Sequence, residues 1–373
     1  MQTKHRSLVR LRDNGDLIAA VPYLLGFRPS ESVVICVYAG ATRTQITLCL
    51  RADIPPPGLY FSLAEQLKLP VLRANSCGVS VVIVGDGIVE PSDPLPHKEL
   101  VEAFSQVFGS SGVLVHHAYW VPSIEENVAW WCYSDKDCHG LVPNPDATEL
   151  AATAACLGTV TYDSKAELRA TLEPTDRSPL AARAERIEAA LKQDQDPTQA
   201  HNLIEDLVAK VKDGTWALDE EYLVDLAVAL RNVGVRDGCL RPEVTSIGRP
   251  VEEVWSELTR ALPDPYRAEP ACLLALTAFL RGDGVLAGVA VEAALDANPE
   301  HTFANLLRSS MDFGLPPDSV ASAVAQAFTE PQEVLETHTP SPTETGAQSP
   351  PPVAPPATME IHTPNPPADT APQ

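Results

Sequence analysis

Apolar residues change their spacing once along this chain. Over about the first 160 residues, short apolar runs alternate with segments of helical period; beyond them only helical period is found. The first 39 residues hold the densest pattern. Leu8, Val9 and Leu11 form a short extended run. Asp13 or Asn14 offers an oxygen to the free N–H groups of a following turn, and Asp16 then lies where a negative charge suits the helix dipole. Leu17, Ile18, Val21, Leu24 and Leu25 recur at helical spacing, and Pro22, which lacks an N–H, predicts two short helical pieces there. Gly26 supplies the left-handed stop, and Ser32–Tyr38 is an apolar, β-branched run of the kind covered on both faces.

The alternation continues. Residues 44–50 pair with 32–38 as a hairpin, 59–69 form a helix, and 78–85 form a buried strand reached by a parallel crossover. A helix over 97–108 and a strand over 113–121 follow. Residues 127–133 then return as a hairpin partner with Trp130 and Trp131 on opposite faces, and an Ala-rich helix spans 148–157. Residues 1–160 therefore read as an α/β domain, a mixed sheet with flanking helices. Residues 165–330 read as an all-α helical domain, with helices over 179–192, 197–212, 218–232, 251–262, 270–281, 285–297, 302–312 and 317–328. Its LDANPEHTFANLL junction resembles a tetratricopeptide turn, so the end of this domain is tetratricopeptide-like. From Pro331 to Gln373 the composition turns to Pro, Thr, Ser, Ala and Glu without Lys, Arg or aromatic residues. This predicts a disordered tail, in which ETHTPSP at Glu336 is echoed by EIHTPNP at Glu360.

Three segments, LRD at Leu11, AAVPYLLGFRPSES at Ala19 and RGDGVLAGVAVEAALDANP at Arg281, resemble an uncharacterised actinobacterial family, domain-of-unknown-function family 4192. The resemblance extends to about Pro317. It implies a lineage and a cytoplasmic compartment, and it brings no reaction, cofactor or site residue with it.

Composition narrows the partners. The formal net charge is −23, from 50 acidic and 27 basic residues. Nucleic acid and anionic membrane surfaces select clustered Lys and Arg, so neither is an expected partner. No apolar run approaches the roughly 20 residues that span a bilayer, and the basic N-terminus lacks an apolar signal core. Of the eight cysteines, Cys36, Cys49, Cys156 and Cys272 sit inside apolar runs, and without a signal core the set is expected to be reduced and cytoplasmic.

Candidate chemistry is sparse. The polar loop after Gly26 brings Arg28, Ser30 and Ser32 between two apolar elements. With Asp13 and Asp16 it offers charges and hydroxyls for a ligand, and the competing reading is a latch in which Arg28 pairs with Asp13 or Asp16. Asp86, in a Gly-Asp-Gly turn after the 78–85 strand, lies where open α/β sheets collect ligands, although no phosphate-loop glycine pattern accompanies it. Cys132, Cys138 and His139 carry metal-ligating or redox atoms, but their spacing is not the paired CxxC kind, and a Trp-rich hairpin with a polar tip is the simpler reading. No GxSxG or HExxH occurs, so no catalytic residue and no cofactor are assigned. Three readings follow. The leading one is a non-catalytic intracellular scaffold that binds a protein partner through its helical half. The second is a small-ligand or nucleotide-binding α/β module, enzymatic or not, at Asp13, Arg28 and Asp86, and the third is a structural housekeeping protein without a ligand.

Overall fold

In a computed structural model of the chain, the described residues are 11–39, 45–85, 94–156, 158–174, 176–193 and 196–327. The extended run at 8–10, candidate Asp86 and the 331–373 tail lie outside them. The described residues belong to one compact unit. They open with helix α1 (Asn14–Leu25), followed by strands β1 (Ser32–Ala39) and β2 (Gln45–Asp53), helix α2 (Tyr60–Arg73), strand β3 (Gly78–Val84), helix α3 (Lys98–Gly109) and strands β4 (Val115–Val121), β5 (Ala129–Cys132) and β6 (His139–Leu141).

The six strands lie in the order β2-β1-β3-β4-β5-β6. β1 runs antiparallel to both β2 and β3, and β3 is parallel to β4. It follows that β2, β3 and β4 share one direction, with α2 and α3 as their crossover helices, as the sequence pattern predicts. β5 and β6 complete an antiparallel edge, and the expected hairpin partner over 127–133 is the β5 segment.

Side-chain alternation along the strands sorts the core onto two faces. Val33, Ile35 and Val37 of β1 join Val79, Val81 and Ile83 of β3 and Trp120 of β4 in a cluster covered by α2 and α3. Val34 and Cys36, with Val82, Val84, Tyr119 and Val121, face α1 on the other side. Trp130 and Trp131 part as predicted. Trp130 meets Tyr119 edge-on at 5.4 Å in the α1-side cluster, while Trp131 stacks on Trp120 at 5.2 Å and packs against the cluster under α2 and α3.

The helical half comprises α4 (Glu149–Cys156), α5 (Lys165–Ala170), α6 (Leu180–Leu191), α7 (Pro197–Asp213), α8 (Glu220–Leu230), α9 (Val233–Gly238), α10 (Pro242–Thr245), α11 (Arg249–Ala261), α12 (Ala268–Arg281), α13 (Gly284–Ala297), α14 (Thr302–Asp312) and α15 (Pro317–Ala327). A mixed sheet with helices followed by a helical half is thus the architecture. The apolar cluster on the α1 side of the sheet runs on without a break into α7, α8 and α11 to α13, so the two halves share one core.

Two local expectations give way. Pro22 does not split the first helix: α1 is continuous over 12 residues. A proline loses its own N–H bond and crowds the carbonyl four residues back, but nine of the α1 residues, Pro22 among them, are buried, so packing outweighs the cost. Pro70 is likewise carried inside α2. The caps behave as local chemistry dictates: Asp13 accepts from the Asp16 N–H at 2.9 Å, and Gly26 adopts the left-handed conformation at φ 77°.

Candidate functional site

The residues singled out around α1 do not converge on one point. Asp16 is buried and held by Arg12, whose Nε and main-chain N–H both reach Asp16 Oδ2, at 2.8 and 2.9 Å. The hydrogen bond from Arg12 holds the Asp16 carboxyl below its ordinary range, against the opposing effect of burial. Asp13 is used as the α1 cap. Arg28 therefore does not latch onto either of them. Its partners come from far along the chain: Asp146 Oδ1 at 2.6 Å and Asp163 Oδ1 at 3.7 Å. Tyr23 donates to the same Asp146 oxygen at 2.7 Å. Burial first, and then the Asp146 carboxylate, push the Tyr23 hydroxyl up to about 12. Tyr23 is in turn the chief reason that the Asp146 carboxyl sits below its usual value, with Arg28 adding to the effect.

Ser30 is exposed, whereas Ser32 is fully buried at the start of β1. The Ser32 hydroxyl donates to the Ser30 carbonyl at 2.5 Å and accepts from Arg51 Nε at 2.9 Å. Arg51 is itself paired with Asp53 at 2.6 Å and lies over the Phe27 ring. These contacts fix the edge at which the carboxyl ends of β2, β3 and β4 meet the loop leaving α1. Cys132 is buried on β5, Cys138 is half-buried and bonded by Asn14 Nδ2 at 3.7 Å, and His139 is exposed. The Cys132 N–H donates to the Cys138 carbonyl at 2.9 Å, which brings the two cysteines together, while His139 begins β6 exposed. Among the described residues, no three His, Cys, Asp or Glu side chains are grouped as a metal ion requires.

The opening stretch contributes to a different place. Phe27 bridges Tyr162: the Arg28 N–H donates to the Tyr162 carbonyl at 2.9 Å, and the Tyr162 N–H donates to the Gly26 carbonyl at 2.9 Å. This bridge fastens the end of α1 to the segment that leads into α5. Beneath it opens a cleft of about 540 Å³ between the Gly26–Tyr162 bridge, α5 and the helices α11 to α13. The volume lies within the usual range for small-molecule sites, and such sites favour the seam between structural halves. Leu25, Leu168, Leu172 and Leu274 give apolar walls, and Trp216 and Tyr162 give aromatic ones.

The polar groups of the cleft are anchored. Arg281 reaches Glu252 through Nε at 2.8 Å and through a terminal nitrogen at 3.0 Å, and the same terminal nitrogen reaches Asp283 at 3.0 Å. Glu252 is buried, so the forked contact offsets the cost of its desolvation. Asp283 also caps α13 through the Leu286 N–H at 3.0 Å. Arg249 donates to the Gly158 carbonyl at 2.7 Å and the Thr159 hydroxyl at 2.9 Å, pinning α11 to the segment opposite. Burial, then the carboxylates of Glu167 and Asp283, raise the Tyr162 hydroxyl pKa. Sequence reading did not find this cleft. Gly26, Tyr162, Glu252 and Arg281 come from four distant segments, and each has an ordinary local role.

A family model described as a domain of unknown function (DUF4192) matches residues 15–318, which is most of the chain, and the chain belongs to that family. No curated protein and no solved structure matches it.

Proposed function

For a member of a family whose description carries no activity, we propose that the chain binds a small ligand in the cleft beneath the Phe27–Tyr162 bridge. The observation that carries the reading is the cleft itself, about 540 Å³ at the seam of the two halves, with apolar and aromatic walls and a buried, forked Glu252–Arg281 pair. This relocates the ligand-binding reading from the Asp13 and Arg28 region to the other side of the same loop. There Arg28, Asp146 and Tyr23 act as a clasp that holds the end of α1 in place. Ser256, half-buried on the cleft side of α11, is the point to block. A Ser256→Trp variant fills the cleft while leaving the ion pairs intact. Thermal-shift screening of the chain against metabolites is expected to yield ligands whose stabilisation disappears in that variant. Stabilisation that is equal in both proteins places the ligand elsewhere.

The protein-scaffold reading retains one supporting observation in the helical half. Leu306 and Phe313, in and just after α14, are 60% and 56% exposed, and the Phe313 carbonyl accepts from Arg73 of α2, where Leu72 is also exposed. Affinity capture with a Leu306→Asp, Phe313→Asp variant tests it. A partner retained by both proteins excludes this surface.

A further inference from the structure

The cleft carries a charge pattern that selects among ligands. Its lining residues hold four carboxylates, Glu252, Glu253, Glu257 and Asp283, against three guanidiniums, Arg249, Arg260 and Arg281. Two of the guanidiniums are paired with carboxylates, and the third bonds neutral groups. Arg281 is shared by Glu252 and Asp283, Arg260 pairs with Glu257, and Arg249 is spent on the Gly158 carbonyl and the Thr159 hydroxyl. Glu253 is different. It is exposed at the cleft, one helical turn from Arg249, and no ion pair joins it to a cation among the described residues. The lining therefore carries one more carboxylate than guanidinium. Trp216 and Tyr162 add aromatic faces, which attract cations through the ring quadrupole. The chain as a whole carries a net charge of −23, which favours association with cations over anions.

Resting on the small-ligand reading of this cleft, we propose that its ligand is a small organic cation, an amine with an apolar or aromatic body. The ammonium group pairs with Glu253, and the body lies against Trp216, Tyr162 and the leucine walls. An anionic ligand meets the opposite situation. At Arg281 or Arg260 it must displace a carboxylate, and at Arg249 it meets Glu253 one helical turn away.

The test compares three indole compounds of matched shape, tryptamine, tryptophol and indoleacetate, by calorimetric titration of the full chain, Glu253→Gln and Ser256→Trp. Tryptamine is expected to bind most tightly of the three. Its affinity should fall about three- to fivefold in E253Q, the loss of one exposed ion pair, and by more than about tenfold in S256W. The tryptophol affinity is expected to be the same in wild type and E253Q. Indoleacetate or tryptophol binding more tightly than tryptamine, with sensitivity to S256W, overturns the cation assignment and leaves the cleft reading standing. Binding by tryptamine that S256W does not weaken overturns both, as does the absence of binding by all three compounds.

Discussion

Removing the Glu252 carboxylate tests how the floor of the cleft is held. Glu252 is 6% exposed, and both its oxygens accept from Arg281. In Glu252→Ala, Arg281 keeps only Asp283 and loses two charge-assisted hydrogen bonds in a half-buried setting. Breaking one side of a buried pair costs about 3–5 kcal/mol when the remaining charge is stranded. Because Asp283 still compensates Arg281 in part, about 2–3 kcal/mol is expected. With a urea slope of roughly 3 kcal/mol per molar, appropriate to the upper end of the usual range, the midpoint falls by about 0.7–1 M. Replacing both partners, Glu252→Ala with Arg281→Met, strands no charge at Glu252, and the double variant should lose at least about 1 kcal/mol less than the sum of the single losses. Equilibrium urea unfolding followed by far-ultraviolet circular dichroism measures all three variants. A midpoint for Glu252→Ala within about 0.2 M of wild type, or strict additivity in the double variant, refutes the claim that the buried Glu252 is coupled to Arg281.

Other outcomes follow from the same contacts. Asp146 is held below its ordinary carboxyl value in the folded state, so its contribution to stability is present above the unfolded value of about 3.9 and is lost as pH falls through the lower folded value. Tyr23→Phe removes the largest cause, and the melting temperature of the variant should depend less on pH below about pH 4 than that of wild type, while a parallel pH profile contradicts the assignment. His301 caps α14 through Nδ1, which accepts from the Ala304 N–H at 3.1 Å, so Nε2 carries the proton that meets Glu269 at 3.0 Å. His301→Ala removes the cap and one partner of a buried carboxylate, and should destabilise by about 2–4 kcal/mol in urea unfolding; a loss under about 0.5 kcal/mol contradicts the described contacts. Of the free cysteines, Cys156 is exposed while Cys36, Cys132, Cys239 and Cys272 are buried, so a Cys156→Ser variant should lose the fastest phase of labelling by a water-soluble disulfide reagent. Retention of that phase places an exposed thiol elsewhere.

Local chemistry made much of the fold legible. Asp13, Asp16 and Gly26 mark the ends of α1 because capping is decided by a few neighbouring groups, and the β-branched runs mark β1 and β3 because a strand covered on both faces has no polar side. The long helices of the second half follow from period alone, and α14 begins and ends where its spacing predicts. What local pattern did not reveal depends on packing. Pro22 and Pro70 stay inside helices because tertiary burial overrides the loss of one hydrogen bond. The three-residue β6 and the short α5, α9 and α10 are too brief to show a period. Arg28 pairs with Asp146 and Asp163, more than a hundred residues away, so a nearby acid in the sequence was the wrong guide to its partner. The cleft was illegible for the same reason: it exists only where the Gly26–Tyr162 bridge faces α11 to α13.

The central claim is that the cleft beneath this bridge is a ligand site. A thermal-shift screen of wild type and Ser256→Trp side by side against one metabolite library tests it most directly. The account predicts ligands that raise the melting temperature of wild type and leave the variant unmoved. A library that shifts neither protein, or shifts both equally, contradicts it.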